Sequence, residues 1–216
     1  PRQILPGSTY LLSPRCTQRQ FLLKPTPLTT QIFMYILAIA AERTGVLVHA
    51  ACVLSNHWHA VGTDPEGRLP EFTAYVHKYV AKAVNASLGR WENLWATEQP
   101  SIVRLEGADD VIDKMLYTLL NPVTASLVKN ADKWPGLWGY REEIKVNQPN
   151  VFFRPEGPLP DSVILRFVPP PTAENHEGKR DFYSAFEHQL HERQQILHTD
   201  HARTGKTYLG KLGILR

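Results

Sequence analysis

Two histidines separated by one large apolar residue, His57-Trp58-His59, stand in an apolar run whose side chains alternate. In an extended strand, side chains at positions i and i+2 share a face, so His57 and His59 point the same way while Trp58 points into the opposite layer. Two imidazoles about 6–7 Å apart along a strand can converge on one divalent cation. The alternative is that both histidines simply occupy the polar face of a sheet.

A second pair of residues with chemical potential lies on a predicted helix, where Tyr117 and Asn121 are spaced i and i+4. This spacing makes them neighbours on one helical face, and Pro122 is expected to end or kink the helix just past them. A tyrosine hydroxyl with a carboxamide one turn away can supply a phenolate nucleophile and a third metal ligand. The alternative is a half-buried core tyrosine with an asparagine at a helix end.

The elements that must position these pairs follow the order β-α-β-β-α-β-α. The first six match a ferredoxin-like βαββαβ sandwich, an α+β fold with an antiparallel central sheet and helices on one face. The helix with Tyr117 follows this sandwich. Periodicity and turn residues predict strands at Ser8–Thr17, Val46–Leu54, His57–Thr63 and Ser101–Leu105, and helices at Leu28–Arg43, Leu69–Leu88 and from Ala108 or Asp109 onward.

Beyond Tyr140 the composition changes, because prolines become frequent. A helical pattern returns from Asp181 to Leu197, and the end of the chain from Arg203 to Arg216 is basic. We therefore predict a folded domain over residues 1–140, a proline-rich irregular segment over 141–180, and a helical, basic extension over 181–216. The prolines of the irregular segment are Pro149, Pro155, Pro158, Pro160, Pro169, Pro170 and Pro171.

The composition, with 43% hydrophobic and 21% charged residues among 216, is that of an ordinary globular protein. A formal net charge of +3 permits nucleic acid as a partner without requiring it. Cys16 and Cys52 are the only cysteines, which argues against a disulfide framework and against a cysteine-based zinc site. The most apolar segment, Ile32 to Ala41, is too short to span a bilayer. No leader opens the sequence, so we expect a cytoplasmic protein.

Both chemical pairs lie inside a longer resemblance to a known family. The segment Leu54–His59 resembles the histidine–hydrophobic–histidine motif of the single-tyrosine HUH endonucleases. The segments Tyr117–Val128 and Trp134–Tyr140 are similar to the tyrosine helix of the REP-associated tyrosine transposases, where REP denotes repetitive extragenic palindromic DNA. The segment Pro14–Pro25 resembles the first strand and loop of that group, and Gly205–Arg216 resembles the basic ends of its longer members.

The chain departs from that family at a few positions. The family commonly has Met-Pro where Leu54-Ser55 stand and a smaller aliphatic residue in place of Trp58. It commonly has Arg and Gly where Thr124 and Ser126 stand. The ligand and nucleophile positions are unaffected, whereas the last two changes bear on a DNA contact and on a tight packing point.

The resemblance implies cleavage and rejoining of single-stranded DNA by residues 1–140. Tyr117 would attack the scissile phosphate and form a 5′-phosphotyrosine with a free 3′-hydroxyl, without ATP. His57 and His59, with Asn121 as third ligand, would hold Mg²⁺ or Mn²⁺ against that phosphate. The family precedent for the substrate is a palindromic DNA hairpin with a short flanking sequence, and the protein could act as a monomer or a homodimer.

Basic and aromatic residues predict where DNA would lie, since cations contact phosphates and aromatic faces stack on unpaired bases. Each of these side chains could equally be a solvated charge or a core aromatic. The candidates are Arg15, Arg19, Lys24, His77, Lys78, Lys82, Arg90, Trp91 and Trp95.

Two other functions stay open from the sequence. One is a domesticated protein that binds hairpin DNA without cutting it, and the other is a relaxase-like or replication-initiator nuclease. The presence of His57, His59, Tyr117 and Asn121 together favours the cleaving enzyme, because a protein that only binds DNA has no chemical need for a metal pair facing a tyrosine.

Overall fold

A five-stranded sheet, in which every neighbouring pair of strands is antiparallel, lies at the centre of the molecule. The computed structural model describes residues 3–98, 100–149, 159–171, 173 and 179–215. The order across the sheet is β4-β1-β3-β2-β5, so its first four strands have the ferredoxin-like order and the predicted α+β fold is confirmed. The strands are β1 (Ser8–Ser13), β2 (Leu47–Val53), β3 (Trp58–Asp64), β4 (Ser101–Leu105) and β5 (Trp138–Gly139).

Helices cover both faces of this sheet. The helices are α1 (Pro27–Thr44), α2 (Leu69–Ser87), α3 (Ala108–Thr124), α4 (Lys179–Thr204) and α5 (Gly210–Leu215). Helices α1 and α2 pack on one face, whereas α3 and α4 pack on the other. None of the helices in the described part of the chain has the length and apolar character needed to cross a membrane.

The layer of α1 and α2 buries the residue between the two histidines. Helix α1 begins after Thr26, whose hydroxyl accepts a hydrogen bond from the Thr29 amide, and it ends before Gly45, which has a φ of +73°. Trp58 is fully buried in this layer, with its ring edge-on to Phe33 at 5.3 Å between centroids. Trp58 thus points into the layer predicted from strand alternation.

The opposite layer fixes helix α3 against the sheet. Val61 of β3 packs there with Met115 of α3, and Phe186 of α4 joins the same apolar cluster. Each such buried side chain contributes roughly 1.5–3 kcal/mol to stability. Arg193 of α4 also forms an ion pair with Asp113 of α3 at 2.5 Å. Helix α3 is therefore held between the sheet on one side and α4 on the other.

The expectation of an irregular segment over residues 141–180 is wrong for residues 143–147 and 162–166. Two further strands, β6 (Glu143–Asn147) and β7 (Ser162–Arg166), form an antiparallel pair. Their apolar side chains face α1, where Val163 and Leu165 are buried, and Tyr35 of α1 donates a hydrogen bond to the Pro160 carbonyl. Alternating apolar residues therefore outweigh the surrounding prolines. Pro155 and Pro158 lie outside the described residues.

Several predicted boundaries shift. Strand β1 ends at Ser13 instead of Thr17, because the chain turns through a short 3₁₀ segment at Thr17–Arg19. Helix α4 covers more of the chain than the predicted 181–197. The predicted basic end contains α5, and Arg216 lies outside the described residues.

Helix α3 continues through Pro122 and ends at Thr124, two residues beyond the proline. Just after the helix, Ser126 has a φ of +57°, in the left-handed region that favours glycine. The Ser126 carbonyl accepts a hydrogen bond from the Leu209 amide at 2.9 Å. The strained residue therefore lies where the segment before α5 forms a backbone hydrogen bond with the chain just after α3.

Candidate active site

The two histidine side chains lie together on the face of the sheet that α3 covers, with ring centroids 4.8 Å apart. His57 Nδ1 is 2.6 Å from the side-chain oxygen of Asn56. Because that amide oxygen only accepts hydrogen bonds, the His57 ring carries its hydrogen on Nδ1 and leaves the lone pair of Nε2 available. Asn56 is held in turn by its own side-chain N–H, which donates to the Arg19 carbonyl at 3.2 Å.

His59 is oriented in the same way by residues from two other elements. Its Nε2 lies 3.2 Å from the amide nitrogen of Asn121, which donates to it. His59 Nδ1 therefore carries the hydrogen and donates to the hydroxyl of Ser13 at 2.7 Å. The β1–β3 register, in which Leu12 is opposite Ala60, puts Ser13 within reach of His59. Both imidazoles thus keep Nε2 as the acceptor atom.

Helix α3 positions Tyr117, like Asn121, next to His59. The Tyr117 ring centroid is 5.1 Å from that of His59, at an angle of 75° between the rings. The side chain is 45% exposed, which leaves it open to an external reactant. The sheet and the helix thus bring together the four residues that the sequence analysis singled out, although α2 and β4 separate the two pairs along the chain.

Both histidines are neutral at neutral pH. Burial, together with the neighbouring His57 ring and the charge of Arg15, lowers the pKa of His59 to about 3. Burial also lowers the pKa of His57, with a further contribution from Arg15. A hydrogen bond with Asn121 partly opposes the shift in the pKa of His57. Neutral imidazoles have the protonation state that metal binding requires.

The donor set fits a divalent cation that also takes oxygen ligands. His57 and His59 offer one nitrogen lone pair each, and rotation of the Asn121 amide by about 180° exchanges its nitrogen for an oxygen donor. Among the described residues, no group of three or more His, Cys, Asp or Glu side chains is arranged to hold a metal ion. A cation held here by two imidazoles and an amide would complete its shell with water or phosphate oxygens, as Mg²⁺ and Mn²⁺ do.

A cleft of about 660 Å³ opens beside this group of side chains. His59 and Tyr117 form part of its wall. Four of the residues predicted to contact DNA also line it, namely Arg15, Arg19, His77 and Trp95. The His77 and Trp95 rings lie 4.8 Å apart, and the Trp95 indole N–H donates to the His77 carbonyl at 2.9 Å. The cleft therefore combines cationic and aromatic groups next to the tyrosine.

The other predicted DNA contacts lie outside the lining of this cleft. Lys78 and Lys82 on α2 both lie over the ring of Tyr79, with their ammonium groups 5.1 and 5.7 Å from its centroid. Arg90 is within 3.6 Å of Glu92 and donates to the Gln20 side chain at 3.3 Å. Trp91 is 97% exposed in the turn after α2, and Lys24 is half-buried near the start of α1.

Sequence reasoning missed two residues that orient the histidines. Asn56 lies between two predicted strands, and its position directly before His57 is a signal that could have indicated this contact. Ser13 gave no signal of its own, because its contact with His59 depends on the pairing of β1 with β3. These two residues belong to the candidate site together with the histidine pair and the tyrosine–asparagine pair.

The chain is similar to known proteins in its three-dimensional structure. No protein-family model matches the chain, and no curated protein matches it. A solved structure of a REP-associated tyrosine transposase bound to a REP hairpin matches with a TM-score of 0.53 and 19% identity, covering 63% of this chain and 79% of that one. A protein from Deinococcus radiodurans R1, provisionally described as a transposase, matches with 19% identity and a TM-score of 0.38, covering 56% of this chain and 95% of that one. The first likeness establishes a shared fold, whereas the second TM-score is too low to do so.

Proposed function

We propose that this chain, which has the fold of a REP-associated tyrosine transposase, is a metal-dependent endonuclease and strand transferase for single-stranded DNA. One observation carries the proposal: Tyr117 and Asn121 of α3 meet the two oriented histidines of the sheet at the edge of an open cleft. The arrangement supports the proposal because phosphoryl transfer by a tyrosine requires a nucleophile beside a set of metal ligands. The hairpin bound by the structural neighbour supports hairpin DNA as the substrate.

The chain's own residues have separate roles in the proposed reaction. Tyr117 Oη attacks the scissile phosphorus, a bond from phosphorus to the tyrosine oxygen forms, and the bond to the 3′-oxygen breaks, so the product has a 5′-phosphotyrosine and a 3′-hydroxyl. Because the phosphotyrosine is itself a phosphodiester, another 3′-hydroxyl can attack its phosphorus, release the tyrosine and join a new end. Arg15 and Arg19 of the cleft neutralise neighbouring phosphates.

Mg²⁺ or Mn²⁺, held by His57, His59 and Asn121, would supply charge neutralisation at the phosphoryl oxygens when bound. Ser13 and Asn56 keep the two imidazoles in the tautomers that direct Nε2 at this position. The presence of these proposed ligands beside a nucleophile favours an enzyme that cleaves DNA over a protein that only binds it. A protein that only binds hairpin DNA is the second candidate, favoured by the hairpin in the neighbouring structure.

The test is incubation of the purified protein with Mn²⁺ and labelled single-stranded hairpins taken from the DNA that flanks its gene, followed by denaturing gels. We expect a covalent protein–DNA adduct in the wild type that disappears in Tyr117→Phe and in the presence of a chelator. Tyr75→Phe, which removes a hydroxyl from α2 outside the cleft lining, is the matched control and should keep the adduct. Tight hairpin binding without an adduct in the wild type would reject cleavage in favour of the binding protein.

A further inference from the structure

Lys114 belongs to the wall of the same cleft as Tyr117 and His59. It precedes Tyr117 by three residues on α3, so the two side chains are neighbours on one helical face. Its side chain is 36% exposed and is therefore partly accessible to solvent. Lys114 is a cationic side chain of the tyrosine helix itself at this cleft.

The Lys114 ammonium group is held by a carboxylate that has a second cationic partner. Lys114 Nζ lies 2.8 Å from Asp113 Oδ2, while Arg193 of α4 lies 2.5 Å from Asp113 Oδ1. These two cations, through hydrogen bonds and charge, lower the pKa of Asp113. Since Arg193 satisfies one carboxylate oxygen by itself, Asp113 remains paired when Lys114 moves away. Lys114 is therefore able to leave its ion pair at a modest cost.

We propose that Lys114 is a catalytic residue that contacts the scissile phosphate and stabilises the charge that develops on its oxygens during attack by Tyr117. This inference rests on the proposed function, because it concerns the same phosphoryl transfer. The substrate phosphate competes with Asp113 for the ammonium group, and Arg193 compensates Asp113 when the lysine turns to the DNA. A cation that contacts the phosphoryl oxygens stabilises the negative charge that develops on them in the transition state.

The variants Lys114→Met, Lys114→Arg and Asp113→Asn test the inference in single-turnover cleavage of saturating hairpin DNA with Mn²⁺. Removal of the cation is expected to slow cleavage by about tenfold or more, and arginine should restore part of the rate. Asp113→Asn frees Lys114 from its ion pair and should accelerate cleavage by up to about fivefold, the range of an exposed pair. In the Lys114→Met background, Asp113→Asn should give no acceleration, because the carboxylate acts through the lysine.

A matched control exists in the same chain, since Asp132 and Lys133 form a pair of adjacent residues at 2.9 Å outside the cleft lining. Lys133→Met should leave the cleavage rate unchanged. Hairpin affinity, measured without cleavage in a Tyr117→Phe background, should fall less in Lys114→Met than the cleavage rate does.

The outcomes separate the two proposals. An active wild type with full-rate cleavage by Lys114→Met would overturn the role of Lys114 and leave the proposed function intact. A rate loss that only matches the loss of hairpin affinity would also overturn it, since Lys114 would then contribute to binding alone. A wild type that forms no adduct would reject both proposals.

Discussion

Replacement of Ser13 by alanine tests the orientation of the proposed metal ligands without altering any of them. Ser13 Oγ accepts the hydrogen bond from His59 Nδ1 at 2.7 Å, and His59 is only 4% exposed. Without the hydroxyl, the ring loses the partner that fixes its tautomer and its angle. The remaining contact with Asn121 is one of the bonds that a cation would replace. We therefore expect weaker metal binding by the variant.

The size of the effect follows from the single bond that is lost. A hydrogen bond of this kind contributes about 0.5–1.5 kcal/mol net, which corresponds to a 2- to 13-fold change in a dissociation constant, at about 1.4 kcal/mol per tenfold. The Mn²⁺ dissociation constant of Ser13→Ala should therefore rise by about that factor. Titration of the free protein with Mn²⁺, followed by electron paramagnetic resonance, measures it directly. The cleavage rate should fall at low Mn²⁺ and recover when Mn²⁺ saturates.

Ser8→Ala, at the other end of β1, is the control because it removes a hydroxyl from the same strand away from the histidines. Circular dichroism should verify that both variants fold. An unchanged Mn²⁺ dissociation constant in Ser13→Ala would refute the argument that Ser13 orients a ligand. A cleavage rate that stays low at saturating Mn²⁺ would contradict it too, because the defect would then lie outside metal binding.

The fold should lose stability in mild acid, because burial lowers the pKa of His49 from its ordinary 6.5 to about 4. Between these values the unfolded chain takes up a proton that the folded chain does not, which costs about 2 kcal/mol of stability at pH 5 relative to pH 8. Burial also lowers the pKa of His59 and of His77, so urea unfolding should show at least this loss. Equal stability at the two pH values would contradict the prediction. Ser126→Gly should stabilise the protein by about 1 kcal/mol by relieving its φ of +57°, whereas Ala125→Gly, at a φ of −77°, should lower the melting temperature. Trp91→Ala should weaken binding of an unpaired oligonucleotide by about fivefold or more, measured by fluorescence anisotropy, since an indole that is 97% exposed can stack on a base; equal affinity would remove Trp91 from the DNA surface.

The parts of the candidate site that depend on local periodicity could be predicted from the sequence. Side chains two residues apart in a strand share a face of the sheet. The rings of His57 and His59 do so. Side chains four residues apart in a helix also share a face. Tyr117 and Asn121 have this spacing, and both contact His59. That the strand and the helix face each other was expected only from the family resemblance, because periodicity contains no information on which elements pack together.

What could not be predicted depends on contacts between distant segments. The contact of Ser13 with His59 needs the register of β1 on β3, which alternation alone does not fix. The β6–β7 pair was missed because frequent prolines in that region indicate irregular chain, whereas packing on α1 decides its structure. The domain limits, the metal and the DNA contacts stay predictions.

The position of Asp113 between Lys114 and Arg193 makes the helix that presents Tyr117 responsive to ionic strength. These side chains are between about one third and one half exposed, so dissolved ions screen both pairs. The same ions would compete with the protein for the phosphates of the proposed DNA substrate. Added salt would therefore weaken the proposed DNA binding while it also weakens the Asp113–Arg193 pair between α3 and α4 and the Asp113–Lys114 pair. The salt dependence of cleavage would combine these effects and could not be converted directly into a number of phosphate contacts.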